Sequence, residues 1–320
     1  MTKNTSIIVF TYKRAFQLDA FIKSAVENFP YLNFPINIIY QHDEIHKESY
    51  EKLFLKWAKY INVHQRGNKT NLLNSHELLR PLNILWYLRF SWLRKYYDDF
   101  KDILLKIIIE LKTPFLILST DDQVFYKNVF IHEKIFETIS SSPKKYTMRL
   151  TSNFKFKDEN IKKNINKYQI DNYKYLYWKA SKQPKNTFWK YRFNVDGTIF
   201  ETKYLHKFLN KFIFNMPTTL ESIGLWESRF RDYYNECLGS HDRSFVGLQL
   251  SNIQTTINTP SAKFDLNYLM KLYLEDFYLK TSDLEINEEK YIFIPSKIPI
   301  SNSSSNYFLY ENNKLVNIEK

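Results

Sequence analysis

The first 66 residues alternate between short β-branched apolar runs and amphipathic stretches, and this alternation restricts the fold more than any other feature. Strand-like runs occupy residues 5–12, 36–44 and 61–66, and helix-like stretches occupy residues 14–29 and 47–60. The order β-α-β-α-β is built as a parallel sheet with right-handed crossovers. The sequence therefore predicts an α/β fold with a mostly parallel central sheet flanked by helices.

A further buried strand is predicted at residues 114–120, after a Leu/Ile/Tyr/Trp-rich helical region over residues 71–112, and it ends at Asp121 and Asp122. Ligands of open α/β sheets bind outside the carboxyl ends of the strands. Three segments are expected to share that edge: Thr11-Tyr12, the run Gln41-His42-Asp43, and the run from Thr120 to Asp122.

The two adjacent aspartates repel each other, and burying either charge without a partner costs several kcal/mol, in order of magnitude. A bound divalent cation would remove that cost. The alternative is that the pair only caps a turn or a helix.

The rest of the chain shows weaker patterns. Residues 151–191 look polar, basic and irregular, and a turn at Asp196-Gly197 is followed by a strand and a helix. A further helix is expected from Leu220, after Pro217 and two threonines. The tail shows a helix at about residues 266–279, then a Ser/Asn-rich linker over residues 301–306.

Composition excludes several kinds of site. The chain has 320 residues but only five glycines, and neither GxGxxG nor GxxxxGK[ST] occurs. The single cysteine, Cys237, rules out an internal disulfide, and we interpret it as structural. No apolar run reaches the ~20 residues of a membrane span, and a signal peptide is not evident, so a cytoplasmic protein is expected.

The net charge of +12 is concentrated in one segment. Residues 155–192 contain ten lysines and one arginine against three acids, a net charge of +8, interleaved with nine aromatic residues. Such a segment is compatible with nucleic acid, an anionic membrane surface or a sugar-phosphate acceptor, and also with a merely solvated lysine-rich surface.

Two stretches resemble glycosyltransferases of the GT-A fold, close to the family 2 type. SIIVFTYKRAFQLDAFIKSA is similar to the opening strand and helix of that family, with Lys13 in place of the usual Asn. LSTDDQVFY resembles its DxD-type motif, with Gln123 at the third acidic position. A weaker resemblance, to a subset of bacterial transferases, is carried by VDGTIFETKYLHKFL, by MPTTLE after it and by SNIQTTIN further on.

The resemblance implies a metal-dependent transferase that uses a nucleotide-sugar donor, in particular a UDP-sugar, and a glycan or lipid-linked acceptor. Asp122 would hold Mn²⁺ or Mg²⁺, whose preferred ligands are oxygens. Asp121 would contact the ribose or support the site. The other nucleotide-binding candidates are Thr11, Tyr12, Arg14 and Asp43.

An inverting mechanism would need a general base for the acceptor hydroxyl. Glu221 is the first candidate, Asp196 the second and Glu227 the third. The histidines His42, His46, His64 and His76 show no metal-ligand spacing.

The predicted organisation is a GT-A domain over residues 1–260 and a helical C-terminal extension over residues 261–320. The nucleotide-sugar half would cover about residues 1–130 and the acceptor half about 131–260. Two alternatives stay open: a protein that binds nucleic acid or an anionic membrane through residues 155–192, and an inactive GT-A scaffold subunit. Peripheral contact with the inner face of the membrane is a further expectation.

Overall fold

The computed structural model describes residues 3–67, 99–150, 161, 163–185, 187–212, 214–240, 246–247, 264–284, 297–302, 307–311 and 314–317. The predictions for residues 71–98, for residues 151–160, for His76 and for the run near Asn252 lie outside these residues.

The helices are α1 (Ala15–Asn28), α2 (Lys47–Trp57), α3 (Phe100–Glu110), α4 (Glu133–Ser140), α5 (Thr202–Leu209), α6 (Pro217–Phe230) and α7 (Leu266–Leu274). The strands are β1 (Thr5–Tyr12), β2 (Ile36–Gln41), β3 (Ile61–Gln65), β4 (Phe115–Thr120), β5 (Gln123–Val124), β6 (Lys145–Thr147), β7 (Ile165–Ile170), β8 (Tyr173–Lys179), β9 (Thr198–Glu201), β10 (Glu236–Ser240), β11 (Val246–Gly247), β12 (Phe277–Leu279), β13 (Lys297–Asn302), β14 (Tyr307–Glu311) and β15 (Lys314–Asn317).

Within the described residues, the central sheet has nine strands in the order β3-β2-β1-β4-β9-β6-β10-β8-β7. Neighbouring strands from β3 to β4 pair in parallel, and only β8 and β9 run against the other seven. The order β3-β2-β1-β4 is the first half of a doubly wound sheet. The predicted α/β fold, with a mostly parallel, Rossmann-like central sheet flanked by helices, is confirmed.

Alternating side chains of β1 divide the core between the two faces of the sheet. Ile7 and Val9 pack with α1 in one cluster, whereas Ile8 and Phe10 pack with α3 and α5 in another. Since both faces of β1 are buried, the strand is apolar along most of its length rather than alternating. The first five predicted elements are confirmed, with ends that differ by at most three residues.

Two described parts of residues 151–191 form a β-hairpin, so the prediction of an irregular segment was wrong there. Strands β7 and β8 pair antiparallel, and β8 joins the sheet through β10. Asp171 takes a left-handed conformation (φ 52°) at the connecting turn, as tight hairpins require. Many lysines of this hairpin are exposed, whereas Trp178 and Trp189 are buried in a third hydrophobic cluster.

The C-terminal extension contains a sheet as well as a helix, which corrects the prediction of a helical extension. Helix α7 ends at Leu274 rather than Leu279, because Asp276 adopts a left-handed conformation (φ 63°). Strands β12 to β15 then form a four-stranded antiparallel sheet. Ser301 of β13 lies opposite Tyr307 of β14, so the first two residues of the predicted Ser/Asn-rich linker belong to a paired strand.

Helix α7 packs against α1 and α2 around one buried carboxylate. Asp19 of α1 accepts hydrogen bonds from Trp57 Nε1 (2.7 Å) and Tyr273 Oη (3.2 Å), and it pairs with Lys56 Nζ (2.8 Å). Asp19 of α1 thus joins α2, which contributes Lys56 and Trp57, to α7, which contributes Tyr273. The extension is thereby joined to the face of the sheet that α1 covers.

Candidate functional site

The carboxyl ends of β1, β2 and β4 lie side by side, as their registers require. Phe10 pairs with Thr120, and Thr11 pairs with Tyr40. The residues that follow these strands therefore meet at one edge of the sheet. This edge holds every predicted nucleotide- and metal-binding residue.

Asp121 lies at the centre of a buried network. Its carboxylate accepts hydrogen bonds from Thr11 Oγ1 (2.6 Å) and Arg14 Nη1 (3.0 Å). The hydroxyl of Tyr50, from α2, lies 2.7 Å from Thr11 Oγ1 and accepts a hydrogen bond from the backbone of Arg14 (3.1 Å). Burial raises the pKa of Asp121 to about 6; the charge of Arg14 lowers this pKa, and the charge of Asp122 raises it. Because both oxygens are engaged, the geometry favours a supporting role over a ribose contact.

Asp122 is more accessible than Asp121 and less engaged. Its Oδ1 accepts a hydrogen bond from Thr120 Oγ1 (2.7 Å), and its Oδ2 lies 3.5 Å from Arg14 Nη1. The side chain is 16% exposed, against 3% for Asp121. Asp122 is therefore the member of the pair that can offer an oxygen to a ligand.

Gln123, which departs from the DxD pattern, has a specific structural position. It is buried; its Oε1 accepts a hydrogen bond from Ser119 Oγ (2.8 Å), and its Nε2 donates to Asp196 Oδ1 (2.7 Å). Asp196 also pairs with Arg149 Nη1 (2.5 Å). An acid at position 123 would place a second carboxylate against Asp196. The amide instead ties the Asp pair to the turn at Asp196.

Asp196 is consequently engaged at both oxygens. Burial raises its pKa above the ordinary value, Arg149 lowers it, and the charge of Asp122 raises it further. The effect of Asp122 shows that the two carboxylates are close enough to interact. Within this arrangement Asp196 is better placed to orient neighbours than to accept a proton.

Glu221 lies in the first turns of α6 and reaches the same cluster. Burial raises its pKa to about 8, with Asp196 adding to the effect, while Arg149, the Val195 backbone and Lys145 oppose it. The structure thus places the first-choice base beside Asp196. Thr219 Oγ1 accepts hydrogen bonds from the backbone of Asn215 and Met216, both at 3.1 Å, so α6 begins at Pro217 rather than Leu220.

Asp43 and Tyr12 form a separate corner of this edge. Asp43 pairs with Lys13 Nζ and His46 Nδ1, each at 2.6 Å. Burial alone would raise the pKa of Asp43, but these hydrogen bonds hold it well below its ordinary value. Tyr12 is 39% exposed with Lys13 Nζ 5.0 Å from its ring centre. Lys13 adopts φ 59°, a conformation in which Asn is enriched several-fold.

The sequence patterns did not identify three residues that lie at the site: Arg149, Lys145 and Tyr191. Arg149 and Lys145 are buried, and Lys145 Nζ donates to Tyr191 O (2.6 Å) and Asn194 Oδ1 (3.0 Å). The pKa of Tyr191 is raised by burial and by the nearby Glu221 and Asp196. The sequence signal was the stretch KYTMRL, in which a lysine and an arginine lie four residues apart. Basic residues are rarely buried unless they are paired, so a strand that contains two of them suggests acidic or polar partners nearby.

The other candidates have structural partners. Glu227 is buried and accepts a hydrogen bond from Arg231 Nε (2.6 Å). Cys237 is fully buried, and burial raises the pKa of its thiol to about 11, which agrees with a structural role. Across the described ranges, no three His, Cys, Asp or Glu side chains are grouped so as to hold a metal ion.

The carboxylates of this site could hold a divalent cation only if a bound ligand supplied further oxygens. Mg²⁺ commonly uses one or two carboxylates together with substrate phosphates and water. Asp122 provides one accessible carboxylate of this kind, with Asp196 nearby. These residues fit a divalent cation shared with a diphosphate and do not fit one held by protein atoms alone.

None of the helices in the described part of the chain is long and apolar enough to cross a membrane.

Three solved structures that resemble this chain share 11–14% sequence identity with it. No family model and no curated protein matches the chain. Among solved structures, S. aureus TarS 1–349 is 14% identical at a TM-score of 0.39, over 77% of this chain and 59% of that one. A longer TarS structure from S. aureus is 12% identical at a TM-score of 0.41, and the match covers 90% of this chain and 41% of that one. The 4-diphosphocytidyl-2C-methyl-D-erythritol synthase of Anaerococcus prevotii is 11% identical at a TM-score of 0.36, and the match covers 75% of this chain and 88% of that one. At these scores the likenesses carry no argument about function, and the fold assignment rests on strand order and register.

Proposed function

We propose that the chain is a metal-dependent glycosyltransferase that moves a sugar from a UDP-sugar to a glycan or lipid-linked acceptor with inversion. The supporting observation is the convergence of carboxylates from three distant segments at the carboxyl edge of the sheet. The charge of Asp122 raises the pKa of Asp196, and that of Asp196 raises the pKa of Glu221, while Arg14, Arg149 and Lys145 lie around these acids.

The donor would lie across the ends of β1, β2 and β4. Tyr12 offers an exposed ring on which a base can stack. Asp43 is paired at both oxygens, but its side chain is 37% exposed against 3% for Asp121, so it would accept a further hydrogen bond from a ribose hydroxyl or a base N–H. Arg14 lies between Asp121 and Asp122, where its charge holds the Asp pair in place. Asp122 would hold Mn²⁺ or Mg²⁺ together with the diphosphate. Such a cation, when bound, neutralises charge that develops on the leaving phosphate.

Glu221 would remove the proton from the acceptor hydroxyl. A base is most effective when its pKa lies near the working pH. With its pKa raised to about 8, Glu221 is a stronger base than an exposed glutamate. Arg149 and Gln123 hold Asp196 beside it, which keeps Glu221 in a field that disfavours its charged form.

Isothermal titration with UDP, in the presence and absence of Mn²⁺, tests the nucleotide site. We expect binding that requires Mn²⁺ and that weakens at least about tenfold in Asp122→Ala, since a lost ligand costs more than a lost supporting residue. Asp102→Ala, on the exposed side of α3, is the matched control and should bind as the native chain does. Absence of UDP binding under both conditions would contradict the UDP donor.

A further inference from the structure

The end of α6 carries an aromatic pair that faces solvent. Trp226 is 44% exposed and Phe230 is 73% exposed. Their rings stack 5.6 Å apart with an angle of 4° between the planes, as residues four apart on a helix can. They form one flat apolar surface.

Both members of this pair are exposed, whereas Tyr168 and Phe130, which are exposed too, pack against the partly buried rings of Tyr175 and Tyr173. Scattered single apolar residues are normal on protein surfaces, whereas contiguous apolar patches mark interaction sites. The opposite side of α6 already holds the helix on the protein, through the buried residues Leu220, Gly224 and Ser228. The outward side therefore adds nothing to the hydrophobic core.

Positive charge surrounds the aromatic pair. Arg229 is exposed on the same turn, and the guanidinium of Arg231 lies 5.9 Å from the centre of the Phe230 ring. Two nearby acids each pair with an arginine, Glu227 with Arg231 and Asp232 with Arg192 (2.8 Å), so Arg229 supplies the remaining positive charge. The surface thus combines aromatic rings with a net positive charge.

We propose that this surface, formed by Trp226, Arg229, Phe230 and Arg231, rests on an anionic lipid bilayer. Aromatic rings that are partly wet suit the headgroup region, and arginines bind lipid phosphates. A two-fold contact between copies of the chain would bring together two identical surfaces of the same positive charge, which disfavours self-association. The charge is complementary to anionic lipid and not to itself.

At about 3.6 residues per turn, Glu221 lies about 140° from Trp226 and about 180° from Phe230 around α6, so the lipid contact is on the opposite side of this helix from the proposed base. The contact is made by α6 rather than by the lysines of the β7–β8 hairpin.

Vesicle sedimentation of the full chain tests this inference. The native chain should sediment with vesicles of equal parts phosphatidylcholine and phosphatidylglycerol, and not with phosphatidylcholine alone. Trp226→Ser combined with Phe230→Ser should reduce binding at least about tenfold, since apolar burial and charge act together in such binding. Arg229→Gln should weaken binding to the anionic vesicles.

Two matched controls should bind like the native chain. Leu55→Ser removes an 81% exposed apolar side chain from α2, and Lys167→Gln with Lys174→Gln removes charge from the hairpin. Loss of binding only in the hairpin variant would overturn the assignment to α6, as would equal binding to neutral vesicles. A concentration-dependent dimer abolished by the aromatic double variant would identify a self-contact instead.

UDP titration of the same samples separates the two proposals. Vesicle binding by a chain that does not bind UDP would leave the lipid surface standing while the donor proposal fails. UDP binding without vesicle binding would overturn the lipid surface alone.

Discussion

At the scale of single residues, Glu221 has the most unusual environment among the proposed catalytic groups. Glu221→Gln keeps the size of the side chain but removes the proton acceptor. We expect kcat to fall by about 10²- to 10⁴-fold, the usual contribution of a general base, while the Kd for UDP stays unchanged. Steady-state kinetics and titration measure the two quantities.

Glu227→Gln is the matched variant on the same helix. Glu227 is tied to Arg231 and has no access to the carboxylate cluster, so turnover should survive in the folded fraction. Loss of turnover in this variant, with full turnover in Glu221→Gln, would transfer the role to Glu227.

The raised pKa of Glu221 also predicts opposite pH dependences for activity and stability. Turnover requires the ionised form, so kcat should rise with pH, with a midpoint near the pKa of about 8. The folded state binds this proton more tightly than the unfolded state, whose value is near 4.5. Its contribution to the free energy of unfolding is therefore fully present below pH 4.5 and is lost as the pH rises through about 8.

Melting temperatures of the native chain and Glu221→Gln across this pH range check the sign. The native chain should lose stability relative to the variant as the pH rises, by at least about 1 kcal/mol, since one pKa unit corresponds to 1.36 kcal/mol. A difference that does not vary with pH would show that Glu221 is not held in its protonated form.

At the scale of elements, the close packing of α6 sets the position of Glu221. Gly224 faces Phe193, and a Cβ at this position would lie 2.5 Å from Cδ1 of that buried ring. Gly224→Ala should therefore push α6 away from the segment that leads to Asp196. We expect a loss of about 1–3 kcal/mol in the free energy of unfolding, as overpacking typically costs.

Kinetics distinguish a displaced helix from a simple loss of stability. Gly224→Ala should also lower kcat at a temperature where the chain is fully folded, because Glu221 moves relative to Val195 and Asp196. Ser222→Ala, on the exposed side of the same helix, should change neither quantity. Unchanged stability of Gly224→Ala, measured by denaturant unfolding, would contradict the packing argument.

At the scale of the whole molecule, the C-terminal extension shares a core with the face of the sheet that α1 covers. Leu269, Leu272, Tyr273 and Ile300 belong to the same buried cluster as Phe21. A chain that stops before Phe264 would expose this apolar surface, which makes it insoluble or lowers its melting temperature by more than about 10 °C. A truncated chain with native stability would show that the extension is an independent unit.

A single substitution tests the same contact more gently. Lys52 Nζ donates to the carbonyls of Tyr273 (2.8 Å) and Leu274 (2.9 Å) at the end of α7. Lys52→Met should cost about 1–2 kcal/mol, because cations stabilise the carboxyl end of a helix. Lys59→Met, an exposed lysine without such a contact, is the control.

The sequence determined the elements whose residues lie next to one another along the chain. Apolar periodicity located β1, β2, β3 and β4, and the carboxyl-edge rule located Asp121 and Asp122. Residues 165–179 were misassigned because their side chains pack through β10, which lies about 60 residues further on. A pattern of lysines and tyrosines does not indicate that pairing.

Only the tertiary structure decided which residues share the site. Arg149, Asp196 and Glu221 come from three separate segments, and they meet because β6 and β9 pair next to β4 while α6 packs over Phe193. The sequence alone specified the chemical types and the local supports of these groups. Their distances, their burial and hence their pKa values depend on strand pairing and core packing between segments remote in the chain, which local periodicity does not encode.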